Sequence, residues 1–137
     1  MEIPLKVHTY TFKPTAYNTD EKGATARKVM SVRRGTWILA VALRVGVLFN
    51  GTVTIDIGDK VVDARGDIDG FMTNAQAAIG TAGLKAGYGA YFTSGKSRLY
   101  TDVDMVDGRN TIDITYDYTA DTIQGECTVI IVYADLE

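Results

Sequence analysis

The sequence of 137 residues has one cysteine, Cys127, one histidine, His8, and only two prolines. A single cysteine cannot form an intrachain disulfide, so nothing in the chain points to an oxidising compartment. A single histidine cannot assemble a histidine metal site, and no nucleophile lies at a defined spacing from a base. We therefore expect no catalytic residues, no enzyme activity and no cofactor.

Long apolar runs are also scarce. The most apolar stretch, residues 37–49, is interrupted by Arg44 and is too short to cross a bilayer as a helix. Residues 1–10 lack a basic region followed by an apolar one, which predicts no signal peptide. No membrane is therefore expected as a partner. The tyrosines do not gather in a basic groove, so nucleic acid is not an expected partner either.

The composition is that of an ordinary folded chain, with 46% hydrophobic and 23% charged residues. The length fits a single β-sandwich domain over residues 27–137, preceded by an N-terminal strand and polar arm over residues 1–26. The net charge is −3, but residues 1–57 hold eight basic and four acidic residues, while residues 102–137 hold nine acids and one base. Such asymmetry suits docking on copies of the chain or on an oppositely charged lattice, and solvated strand edges would produce it too.

Residues 36–57 predict the centre of the fold. Every second residue from Trp37 to Phe49 is a large apolar one, which places these side chains on one face of a strand. Asn50-Gly51 is the dipeptide that best fits a two-residue hairpin turn, and Val53, Ile55 and Ile57 alternate with polar residues after it. This stretch therefore predicts a hairpin.

Further strands are predicted by alternating or continuous apolar residues. They cover residues 5–12, 27–32, 61–62, 88–92, 98–106, 111–118 and 126–133. Gly58-Asp59-Lys60 reads as a turn, and residues 73–79 predict a short helix with Thr73 as its cap and Gly80 as its end. About eight short strands with one helical turn predict an all-β fold, an antiparallel two-sheet sandwich of the jelly-roll type.

One acidic loop is a candidate calcium site. Asp63, Asp67 and Asp69 lie close together, and Asp67-Ile68-Asp69-Gly70 looks like a fragment of a calcium-binding loop. The ligands that an EF-hand loop places further on are missing. A solvated turn, in which the aspartates bond to local backbone N–H groups, is the alternative.

Residues 34–91 resemble small virion proteins of tailed bacteriophages. The resemblance rests on Arg34-Gly35-Thr36-Trp37-Ile38, the segment 50–59, Asp67-Ile68-Asp69-Gly70-Phe71 and Thr81-Ala82-Gly83. It implies a non-enzymatic head decoration (cement) protein with a β-sandwich fold. Such a protein is made in the host cytoplasm, lies on the capsid surface, usually forms a homotrimer and binds the major capsid protein.

Two groups of residues are candidates for these contacts. The N-terminal strand, with Leu5, Val7, Tyr10 and Phe12, could pair with a neighbour's sheet edge. The basic residues are Arg27, Lys28, Arg33 and Arg34. The alternative is a tail or fibre accessory protein, or a receptor-binding sandwich that binds carbohydrate through exposed Tyr88, Tyr91 and Tyr100.

Overall fold

The computed structural model describes residues 2–13, 23–49, 53–61, 66–95, 97–101, 110–118 and 124–136. Over these ranges the chain forms eight strands, one α-helix and one 3-10 helix. The strands are β1 (Lys6–Phe12), β2 (Gly23–Ser31), β3 (Thr36–Val47), β4 (Val53–Lys60), β5 (Gly83–Ala86), β6 (Arg98–Leu99), β7 (Thr111–Tyr118) and β8 (Glu126–Asp135). The helix α1 is Asn74–Ala77 and the 3-10 helix is Ala90–Gly95.

The strands form two antiparallel sheets. Sheet A has the order β1-β8-β3-β5, with β6 also paired to β3, and sheet B has the order β2-β7-β4. Strands β1 to β4 alternate between the two sheets. Strand β8 then lies between β1 and β3 in sheet A, and β7 lies between β2 and β4 in sheet B. This connectivity is that of a jelly roll. The predicted all-β two-sheet sandwich is confirmed.

The core lies between the two sheets and is built from alternate residues of their strands. Strand β7 has the predicted bounds, and its residues Ile112, Ile114 and Tyr116 are buried as the alternation predicts. Strand β8 contributes Cys127, Val129 and Ile131 from the opposite sheet. His8 joins the sheets at one edge of the sandwich, where its Nε2 donates to the carbonyl oxygen of Val29 at 2.9 Å.

The hairpin predicted over residues 36–57 is wrong. Strand β3 lies in sheet A and pairs with β8, β5 and β6, whereas β4 lies in sheet B and pairs with β7. The two strands therefore belong to different layers, and Asn50-Gly51 lies outside the described residues. The sequence pattern identified both strands correctly, but a local turn signal could not show that β3 finds partners far along the chain.

The single apolar face predicted for β3 is interrupted by irregular pairing. The register with β8 shifts between Ile38 and Ala40 and again between Val45 and Val47. An extra residue in one strand reverses which face the following side chains occupy. Before the first shift, the even-numbered Ile38 is therefore buried. After that shift the buried residues have odd numbers and are Val41, Leu43 and Val45.

Helix α1 begins as predicted. Thr73 is its N-cap, and Oγ1 of Thr73 accepts from the backbone N–H of Gln76 while Oε1 of Gln76 accepts from the N–H of Thr73. This reciprocal pair is a capping box. The predicted end at Gly80 is wrong, because Ala78 already takes the left-handed conformation, with φ at 42°, and ends the helix there.

Two other local predictions are wrong. The segment predicted as a turn at Gly58-Asp59-Lys60 belongs to β4, because it continues the antiparallel pairing with β7 as far as Lys60 opposite Thr111. Residues 88–92, predicted as a strand, lead into the 3-10 helix Ala90–Gly95, which packs its aromatic rings on Phe71. Tertiary contacts override the local pattern at both places.

Candidate interaction surfaces

Strand β1 lies at the edge of sheet A. It pairs with β8 from Lys6 opposite Tyr133 to Phe12 opposite Cys127, and its other edge has no strand partner among the described residues. Leu5 and Val7 point away from the core, and each is 63% exposed. Tyr10 and Phe12 point the other way, and the Phe12 ring lies 4.6 Å from that of Tyr116. Of the four predicted contact residues, Leu5 and Val7 are therefore exposed at the surface, and the two aromatic ones hold β1 to the core.

The outward side of sheet A is apolar across four strands. Val7 lies opposite Val132, which lies opposite Ala40, and the next row runs from the polar Thr9 through Ile130 and Ala42 to Ala86. Residues directly opposite in antiparallel strands share a face of the sheet. We call this surface the apolar face of sheet A, and its members are Leu5, Val7, Ala40, Ala42, Leu84, Ala86, Ile130 and Val132.

Polar and charged groups border this face at one end. Thr11 and Thr128 share a hydrogen bond of 3.2 Å between their hydroxyls, and Arg44 lies opposite Thr128. Glu126 is one row further along β8 and pairs with Lys13 at 3.2 Å. Arg44 and Glu126 line the same hollow, which has a volume of about 190 Å³. The apolar face thus ends in a cation and an anion side by side.

The outward side of sheet B has the opposite character. It presents Asp113 opposite Lys28, and Asp117 and Asp56 on neighbouring strands. Burial, partly offset by a hydrogen bond from the backbone of Asn74 and reinforced by the charge of Asp117, raises the pKa of Asp56. A groove of about 460 Å³ lies on this side between β2 and residues 66–68. Three aspartates therefore share this surface with two cations, Lys28 and Lys60, and we call it the acidic face of sheet B.

The four basic residues predicted as contacts do not form one patch. Arg27 lies over the ring of Tyr116, 5.9 Å from its centroid, while Lys28 is exposed on the acidic face of sheet B. Arg33 and Arg34 are exposed in the connection from β2 to β3, and Nη2 of Arg33 lies 3.4 Å from Oδ2 of Asp135. The basic groups are thus divided between a strand and a connection.

Asp135 also binds the N-terminal strand. Its Oδ2 accepts from Nζ of Lys6 at 3.0 Å. This hydrogen bond, together with the nearby charge of Arg33, lowers the pKa of Asp135. The start of β1 and the end of β8 are therefore joined by an ion pair at one end of sheet A.

A buried polar cluster around Asp59 was not found by sequence reasoning. The Oδ1 of Asp59 accepts from the Tyr91 hydroxyl at 2.6 Å and from the Asp67 N–H at 2.8 Å. The Oδ2 accepts from the Tyr100 hydroxyl at 2.7 Å and from Nε of Arg98 at 3.3 Å. The alternation of β4 could have identified Asp59, because this residue follows the inward-facing Ile55 and Ile57 at the same spacing of two.

The guanidinium of Arg98 lies between two rings of this cluster. Its Cζ is 4.9 Å from the ring centroid of Tyr91 and 4.7 Å from that of Tyr100. Burial, reinforced by Asp59, raises the pKa of both tyrosines. A carboxylate that accepts from hydroxyl, guanidinium and backbone donors is a satisfied structural group. The cluster ties sheet A to sheet B.

The candidate calcium loop is used for local hydrogen bonds where it is described. The N–H of Asp69 donates to Oδ1 of Asp67 at 3.3 Å, and a side-chain hydrogen bond with Asp67 raises the pKa of Asp69. Asp63 lies outside the described residues. Within the described ranges no three His, Cys, Asp or Glu side chains are grouped so as to hold a metal ion.

The three tyrosines considered for carbohydrate binding are separated by their burial. Tyr88 is 67% exposed, whereas Tyr100 is buried and Tyr91 is half-buried, and both of the latter donate to Asp59. These three rings therefore form no shared exposed platform. No helix within the described part of the chain is long and apolar enough to span a bilayer.

Two solved capsid structures contain chains with this fold. A chain of the cyanophage Pam1 capsid asymmetric unit matches with a TM-score of 0.58 and 18% identity, over 96% of this chain and 84% of that one. A chain of the acid-stable capsid of Helicobacter pylori bacteriophage KHP30 matches with a TM-score of 0.61 and 10% identity, over 97% of this chain and 89% of that one. No protein-family model matches the chain, and neither does any curated protein. The likeness shows a fold that is shared along nearly the whole chain.

Proposed function

We propose that this protein is a structural component of a bacteriophage virion, a decoration (cement) protein that binds the assembled head and stabilises it. The observation that carries the proposal is the likeness to chains of two phage capsid structures over almost the full length of each. Those chains are only slightly longer than this one, so the whole jelly roll is the shared unit. The proposal includes no enzymatic step.

Two features of the surface support a role in assembly. The apolar face of sheet A and the free edge of β1 offer surfaces that a soluble monomer usually covers or blocks with charge. We assign self-association to this side of the molecule. The exposed Arg33 and Arg34 lie in the connection that leads into the same sheet, and we assign them to contacts with the major capsid protein on the capsid surface.

The resemblance implies a homotrimer, and β1 is the edge at which a neighbouring sheet could be added. Deleting residues 1–13 would remove a strand of sheet A together with the core residue Phe12, so it tests folding rather than binding. Point variants avoid this problem because Leu5 and Val7 project outward. Leu5→Asp and Val7→Asp change the surface and leave the core side of β1 intact.

The experiment uses heads of a phage from which the gene for this chain has been deleted. Purified protein is added, the heads are sedimented and the bound copies are counted. We expect saturable binding and a higher temperature of head disruption. Absence of binding would overturn the proposed function, and binding to tails instead of heads would assign the chain to the tail.

The variants then locate the contact. We expect Leu5→Asp and Val7→Asp to reduce occupancy on heads at least about ten-fold. Ile68→Asp is the matched control, because Ile68 is an exposed apolar residue on the side of sheet B. If all three variants bind as the wild type does, the assignment of this surface is wrong even though the chain binds heads.

A further inference from the structure

We infer that the apolar face of sheet A pairs with the same face of a second copy of this chain. The inference rests on the self-association included in the proposed function and specifies where the copies meet, with a two-fold pair in place of the homotrimer that the resemblance implies. Eight apolar side chains lie on this face, and Leu5, Val7 and Leu84 are the exposed large ones among them. A contiguous apolar surface of this kind marks an interaction site in a soluble protein.

Side-chain size makes the face complementary to itself. The two central strands differ in size, because β8 carries Ile130 and Val132 whereas β3 carries Ala42 and Ala40 beside them. The outer strands are mixed, with Val7 and Thr9 on β1 and Leu84 and Ala86 on β5. A two-fold axis parallel to the strands places β8 of one copy over β3 of the other. Ile130 and Val132 of each copy then lie over Ala42 and Ala40 of its partner copy. The large side chains of β8 in one copy thus fill the space above the alanines of β3 in the other, as side chains interdigitate between aligned packed sheets.

Charge is complementary in the same arrangement. Arg44 lies in the row of Thr128, and Glu126 is the next outward residue on β8. The two-fold axis places Arg44 of one copy over Thr128 of the other, one row from Glu126 of that copy. Arg44 of each copy is thereby brought near Glu126 of the other, which also pairs with Lys13 of its own chain, and by symmetry this contact forms twice. A two-fold axis perpendicular to the strands would place Val132 over Thr128 instead, so it matches neither size nor charge.

The opposite side of the molecule is less suited to such a contact. The acidic face of sheet B carries Asp56, Asp113 and Asp117 with Lys28 and Lys60, and pairing it with itself would bury these charges. Taking charged groups out of water is costly even where they are paired. The apolar face can therefore lose its water in the assembly while the acidic face stays hydrated.

Light scattering at several protein concentrations tests the inference on the isolated full-length protein. A face that packs on a copy of itself closes at two chains, so we expect the mass of two chains. Ala42→Glu places a charge in the centre of the contact, and we expect association at least about a hundred-fold weaker. Ala26→Glu is the matched control on the outward side of sheet B, and we expect it to leave the mass unchanged.

A charge exchange tests the predicted register. We expect Arg44→Glu and Glu126→Arg to weaken association separately, and we expect the double variant to restore it. A thermal unfolding curve for each variant confirms that the fold is kept. A wild-type monomer, a mass of three chains, or an Ala42→Glu variant that still pairs would overturn the inference. Head binding is measured separately, so a monomer that binds heads contradicts this inference and leaves the proposed function standing.

Discussion

The hydroxyl of Tyr100 and the carboxylate of Asp59 are joined by a buried hydrogen bond of 2.7 Å that connects the two sheets. Tyr100 follows β6 and is tied to β3 by backbone bonds to Gly35 and Thr36, whereas Asp59 belongs to β4 in sheet B. The bond therefore links elements that are brought together only when the sandwich closes.

Removing that hydroxyl should destabilise the fold. We expect Tyr100→Phe to lower the free energy of unfolding by about 1–3 kcal/mol, because Asp59 loses a donor and stays buried. Urea unfolding followed by fluorescence measures the change. Tyr88→Phe is the matched control, since Tyr88 is mostly exposed, and we expect it to change little. Equal effects at the two positions would show that the cluster is not a structural tie.

A second prediction concerns Gly58, because the backbone of residues 67 and 68 passes directly over it. A Cβ atom at Gly58 would lie 1.9 Å from the carbonyl oxygen of Asp67. We expect Gly58→Ala to cost about 3 kcal/mol or more, because backbone must move to relieve the overlap. The control is Gly46→Ala, where the nearest atom to an added Cβ is the Glu126 carbonyl oxygen at 3.9 Å. Thermal unfolding compares them, and equal midpoints would contradict the close approach.

A third prediction concerns pH. The pKa of Asp69 is raised, first by its hydrogen bond with Asp67, so the folded chain binds this proton more tightly than the unfolded chain does. Ionisation of Asp69 therefore reduces stability, and the reduction disappears as the pH falls through the raised pKa towards the unfolded value of about 3.9. We expect Asp69→Asn to be more stable than the wild type at pH 7. The difference should vanish near pH 4.

Asp135 is the control with the opposite sign. Its pKa is lowered, first by the hydrogen bond from Lys6, so its carboxylate contributes stability above the unfolded pKa. That contribution is lost as the pH falls through the lowered pKa. We expect Asp135→Asn to be less stable than the wild type at pH 7. Denaturant unfolding between pH 3 and pH 7, run on both variants, would contradict this reasoning if the two curves shifted in the same direction.

A fourth prediction concerns the single thiol. Burial raises the pKa of Cys127 to about 12, with Glu126 adding to the effect. The thiolate is the reactive form, so we expect the native protein to react with a thiol reagent at pH 8 far more slowly than the same chain in denaturant. Rapid reaction of the native protein would show that β8 separates easily from its neighbours.

Prediction from sequence succeeded where a feature depends on neighbours along the chain. The alternation in β7 and the Thr73 cap of α1 are such features, and both are confirmed. The alternation of β3 failed at Ile38, because a register shift depends on the pairing with β8, whose residues are about ninety positions away. Local patterns carry no information on such a partner.

The residues proposed for contacts stay a prediction. Leu5 and Val7 were chosen for their place in an N-terminal strand, and the structure presents both at the surface. The neighbours of Ala40 and Ala42 could not be predicted, since only the register places these alanines beside Val132 and Ile130. Asp59 was assigned to a turn for a similar reason, because its four donors come from segments that only the tertiary fold assembles.

The position of β8 between β1 and β3 has a consequence for biosynthesis. Both of these strands are translated more than seventy residues before their shared neighbour, so sheet A is incomplete until residue 135 has left the ribosome. Pairings this distant in sequence close slowly. The nascent chain must therefore hold the facing edges of β1 and β3 unpaired until β8 emerges, and truncation before Glu126 would leave both edges without that partner.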